Sequence, residues 1–132
     1  MPERGRRRAL GGASLAAAAA LLAIGCAESR AEAARGMTSG GDPHRGRAAL
    51  RKYGCSTCHV IPGVGGPQGL VGPPLTSMGA RMYLAGALAN TPENLVRWIR
   101  HPQEVRRPNV MPDMGVTEQD GRDIAAYLYT LQ

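Results

Sequence analysis

The stretch YGCSTCHVIPG, residues 53–63, holds two of the chain's three cysteines, Cys55 and Cys58, with His59 directly after the second. Closely spaced cysteines open a zinc site, a reversible disulfide or a covalently attached haem, and these imply three unrelated proteins. A structural zinc site normally takes four ligands. Beyond the cluster the chain offers only His44, His101 and Cys26, and no second close pair. A thiol–disulfide exchange site would sit at a strand-to-helix junction, and no segment carries a strand signal above background. Haem attachment accounts for every residue of the cluster. The two thiols can add to the vinyl groups of a porphyrin while the next histidine lies under the iron.

Composition asks for such a group. With 18 glycines, 10 prolines, no phenylalanine and 4% aromatic residues in 132, the chain can build one small domain with little aromatic mass for a core. A large flat cofactor would supply the missing interior. The formal net charge of +6 overstates the basicity of the domain, because the first 25 residues carry Arg4, Arg6, Arg7 and Arg8 against Glu3, leaving +3 for the rest. A basic stripe with interleaved aromatics is missing, which argues against nucleic acid as a partner.

Residues 1–25 read as an export signal, a basic start followed by the small, apolar run ALGGASLAAAAALLAIG. That run is too short and alanine-rich for a membrane span. It ends in LLAIGC, which resembles the bacterial lipobox, with Ala23 where leucine is usual; the resemblance implies that Cys26 bears lipid in the mature protein. The alternative is cleavage a few residues later, after AESRA, giving a soluble periplasmic protein. Residues 26–41, small and polar, read as a flexible tether. The domain is expected over 42–132, and the export reading makes it periplasmic, on a membrane surface if lipidated.

Asp42 is placed to cap a first helix over about 43–53, with Pro43 at its first position. Residues 60–79 are too rich in glycine and proline for a long helix or a central strand, so they form a loop wrapped around something. Residues 80–89 predict a short helix interrupted at Gly86. Thr91, Pro92 and Glu93 open another helix, with Leu95, Val96, Trp98 and Ile99 as its apolar set and Pro102 as its stop. An irregular stretch follows to Thr117, whose pairing with Asp120 resembles a capping box. The last helix places Ile124, Tyr127, Leu128 and Leu131 on one face.

Taken in order, GCSTCH after a short helix, VGPPL in the next loop, NVMPDMGV before a final helix and DIAAYLYTL within it make residues 42–131 resemble a small bacterial class I cytochrome c. The resemblance implies an all-α fold of three to four short helices and long loops around one covalent haem c. It also implies a one-electron carrier rather than an enzyme, since iron ligated on both faces has no place for substrate. Respiratory oxidases, dehydrogenases or quinol-oxidising complexes are the implied partners, and a monomer the implied state. The alternative roles are a haem-bearing subunit of a dehydrogenase or oxidase, and a haem enzyme or sensor with a labile sixth ligand.

Carried over residue by residue, the resemblance makes Cys55 and Cys58 the attachment points and His59 the proximal ligand, its second ring nitrogen donating to the carbonyl of Pro73 or Pro74, with Pro74 preferred. Met111, before Pro112, falls where the family places its sixth ligand; Met114, His101 or an open site are the alternatives, and away from the iron Met114 is a gap-filling apolar residue and His101 a helix end. Arg81, Tyr83 and Trp98 are expected to serve the haem propionates, because carboxylates buried without donors are expensive. Arg97, Arg100, Arg106 and Arg107 read as a solvated face or docking rim. Gly46 and Leu50 on the first helix, with Ile124 and Tyr127 on the last, fall where the family crosses its terminal helices; many relatives carry an aromatic residue at the position of Leu50.

Overall fold

The computed structural model describes residues 12–132, with side chains from Ala20 onward. Arg4, Arg6, Arg7 and Arg8 of the export signal lie outside the described residues. The elements run α1 (Gly12–Met37), α2 (Pro43–Lys52), β1 (Tyr83–Leu84), β2 (Leu88–Ala89), α3 (Pro92–Arg100), α4 (Pro102–Val105) and α5 (Glu118–Tyr129), with single 3₁₀ turns at Cys55–Thr57 and Met78–Ala80. Helices and long loops dominate, so the all-α expectation is borne out.

The helix starts are set by side-chain oxygens. Asp42 accepts from the N–H groups of His44 and Arg45 at 2.7 and 3.1 Å, Thr91 from Asn94 at 3.3 Å and Thr117 from Asp120 at 3.1 Å. Each satisfies donors that the first turn of a helix leaves free. The two terminal helices then cross at Gly46. A Cβ there would lie 1.9 Å from the Asp123 carbonyl oxygen, so only hydrogen at this position lets α2 and α5 meet. Leu50 and Ile124 are buried at that crossing, and Leu95 and Ile99 of α3 with Leu128 of α5 extend the core.

Three segments depart from the sequence reading. Residues 80–89 form a hairpin in place of a helix, with Tyr83 opposite Ala89 and Leu84 opposite Leu88. Ala85 and Gly86 take φ of +50° and +66° in the three-residue connection, where the Ala87 N–H closes a turn on the Leu84 carbonyl at 2.9 Å; a helix forbids that left-handed pair. The end of the expected tether is ordered too. Ala34 and Thr38 are 0% and 2% exposed, the Thr38 hydroxyl donates to the Ala34 carbonyl, and the Asp42 N–H donates to Asp123 on α5 at 2.8 Å. The segment thus continues α1 onto the domain, and its small residues permit close packing as well as flexibility. The third departure is the extra turn α4, begun by Pro102, where the sequence predicted irregular chain. Among the described residues no helix is long and apolar enough to cross a membrane.

The loop over 60–79 folds back on the cysteine cluster. Gly69, Gly72 and Leu75 donate backbone N–H groups to Ser56, Cys58 and Val60 at 3.0, 2.8 and 2.8 Å. Gln68 closes the loop internally, accepting from Ile61 N–H and donating to the Val64 carbonyl. Tyr127 of α5 holds its outer edge by donating to the Pro62 carbonyl at 2.7 Å.

Candidate functional site

Between this loop, the hairpin and the segment before α5 lies a predominantly apolar cavity of about 600 Å³. A second, smaller cavity lies beside His101 and Arg122. Cys55, Cys58 and His59 line the larger one, as do Arg81, Tyr83, Trp98, Met111 and Met114. The sequence therefore nominated residues from four separate segments that the fold brings to one place.

The imidazole of His59 is fixed by its surroundings. Its Nδ1 lies 2.7 Å from the Pro73 carbonyl oxygen, which sets Nδ1–H as donor and leaves Nε2 free to ligate. The ring has room only because position 72 is glycine: a Cβ there would sit 2.2 Å from His59 Cε1. The expectation for Pro74 is corrected here. The Gly72 N–H bond to Cys58 and the Leu75 N–H bond to Val60 hold the turn so that Pro73 faces the imidazole. The Pro74 carbonyl instead accepts from the Arg81 guanidinium, and Pro74 does not line the cavity. Burial pushes the Cys55 thiol above its ordinary value.

The remaining nominees separate. Arg81 reaches the cavity but also donates to the Thr76 carbonyl at 3.0 Å, bracing the loop. Tyr83 is 65% exposed at the rim, while Trp98 is half-buried. Met111 is half-buried and Met114 is 45% exposed. His101 does not line this cavity; it ends α3, starts α4 and borders the second, smaller cavity. Arg106, read as a solvated side chain, lines the cavity and donates to the Ala85 carbonyl of the hairpin turn.

Sequence reasoning missed Tyr53 and Met78. Tyr53 lines the cavity with its hydroxyl donated to Asp120 at 2.7 Å, an oxygen that Lys52 also reaches at 2.9 Å. Its position next to the cysteine cluster was the available signal. Met78 is buried against the cavity in a stretch read only as loop. The donor set and the shape fit a macrocycle held at an edge by two thiols, with an imidazole and a thioether available to a metal at its centre.

Residues 43–132 match the family described as Cytochrome c. The chain belongs to the cytochrome c family. This cytochrome is 38% identical over 90 residues to cytochrome c oxidase subunit 2 of Alkalihalophilus pseudofirmus, a match covering 67% of the chain and 25% of that protein. The chain thus spans a quarter of that relative's length. No solved structure matches the chain. Membership makes it a haem c protein with an electron-transfer role.

Proposed function

We propose that this cytochrome is a one-electron carrier holding one haem c, with Cys55 and Cys58 as thioether attachments and His59 and Met111 as axial ligands. The convergence of the cysteines, the Pro73-bound imidazole and Met111 on one apolar cavity supports this reading most directly. Haem iron, when bound, supplies a ferric–ferrous couple, and a sulfur ligand in apolar surroundings favours its reduced state. The chain's own residues orient and shield that couple. Pro73 holds the tautomer that frees Nε2, the apolar lining excludes water, and the exposed rim at Tyr83 and Val110 leaves an edge for brief contact with a redox partner. Arg81 and Trp98 are the donors assigned to the haem propionates.

Export to the periplasm, with lipid on the exposed Cys26, would place the carrier at a membrane surface as a monomer. Its partner would be a respiratory oxidase, a dehydrogenase or a quinol-oxidising complex. One observation favours a second reading, in which the domain serves within an oxidase: the related sequence is a quarter of an oxidase subunit. Stable co-purification with a larger complex separates the two. The ligand assignment is tested by Met111→Ala. The sulfur-to-iron charge-transfer band is expected to vanish in that variant and persist in Met114→Leu; persistence in Met111→Ala removes Met111 from the iron.

A further inference from the structure

Among the described residues no backbone N–H between Arg107 and Val116 donates to another backbone group, so the segment carrying Met111 lacks the ladder that fixes a helix or a strand. Pro108 and Pro112 have no N–H to give. Two side-chain amides do this work. The Met111 N–H donates to Asn109 Oδ1 at 2.7 Å, and the Met111 carbonyl accepts from Gln103 Nε2, also at 2.7 Å. The same Gln103 nitrogen donates to the Asn109 carbonyl at 3.0 Å. Asn109 Nδ2 in turn donates to the carbonyls of Pro102 and Arg106 at 3.0 and 2.8 Å, tying the group to both ends of α4. Every amide hydrogen of the two side chains is used, which leaves neither side chain a reason to turn away. Met114, three residues on, has no hydrogen bond to its backbone among the described residues.

The geometry points to Gln103 and Asn109 as positioning residues: they clamp the peptide of Met111 on both sides and so hold its thioether in place on the iron. This inference rests on Met111 being the sixth ligand. A loop without the clamp would swing away from the metal while the helices stayed folded. With it, loss of the sulfur ligand requires breaking bonds to α4, and α4 is joined to α3 through His101.

Gln103→Glu and Asn109→Asp test the clamp in the full-length holoprotein. Both keep shape and remove donors, since a carboxylate only accepts; Asn109→Asp keeps the acceptor for the Met111 N–H and cuts its bonds to the Pro102 and Arg106 carbonyls. In the parent protein the sulfur-to-iron band and the far-ultraviolet helical signal are expected to disappear together on heating. In each variant the band should disappear first, with helicity retained, and carbon monoxide should bind the reduced protein roughly tenfold or more faster, the scale set by losing one or two hydrogen bonds. The parent offers a measurement that needs no substitution: in the reduced state the Met111 amide should exchange with deuterium at least about tenfold more slowly than that of Met114. Equal exchange at the two amides, or variants whose band and carbon monoxide rates match the parent's, overturns the clamp. Loss of the band in Met114→Leu with retention in Met111→Ala overturns the ligand assignment itself.

Discussion

At residue 123 a carboxylate is 1% exposed, and its two oxygens accept from the Asp42 N–H, twice from Arg45 and from Gln119. Burial works to raise this carboxyl, but the Arg45, Asp42 and Gln119 bonds outweigh it and hold it below the ordinary carboxylate value. A depressed carboxyl stabilises the fold fully above its unfolded pKa of about 3.9, and that contribution fades as pH falls through the lower folded value. Asp123→Asn is therefore expected to reduce stability by about 1–3 kcal/mol at neutral pH. The difference from the parent should shrink on acidification below about pH 4, as followed by denaturant melts across pH. Individual residues were unevenly readable. Cys55, Cys58 and His59 announce their chemistry through residue type and spacing alone. Choosing Pro73 over Pro74 depends on which carbonyl the loop bonds leave facing the imidazole. Gln103 and Asn109 carry no mark in sequence, because amides that bind backbone look like any polar loop residue.

Among elements, α2 and α3 were legible to within a residue or two and α5 at its start, since Asp42, Thr91 and Thr117 cap them; α5 stops at Tyr129, short of Leu131, which was expected on its apolar face. The hairpin was not. Leu84, Leu88 and their neighbours fit helical spacing as well, and only the positive φ at Ala85 and Gly86 decides against it. The loop over 60–79 was recognised as wrapped, but not what it is wrapped with: its own Gln68 and the hydroxyl of Tyr127 close it. Tyr127→Phe should accordingly cost about 0.5–1.5 kcal/mol in global stability. It should also raise amide exchange in the loop more than in the helices, a contrast that hydrogen exchange followed by residue would reveal.

For the molecule as a whole, the core on the far side of the crossing helices is ordinary, whereas the cavity beside Cys55 depends on what fills it. A ligand that binds only the folded chain contributes its binding energy to folding. Replacing both Cys55 and Cys58 with serine is expected to lower the melting temperature sharply and broaden the transition, measured by far-ultraviolet dichroism. A cooperative melt at the parent temperature would show that the protein core suffices by itself. The sequence pointed to this dependence through its missing aromatics, while the size and walls of the cavity needed the fold.

The packing of Ala34, Thr38 and Asp42 against α5 bears on how the molecule is aimed. Because those contacts take up the slack between α1 and the domain, an attachment at Cys26 would act through a lever instead of a leash, and the cavity mouth would sweep a narrow arc. Electron delivery would then favour acceptors standing at one fixed height and bearing.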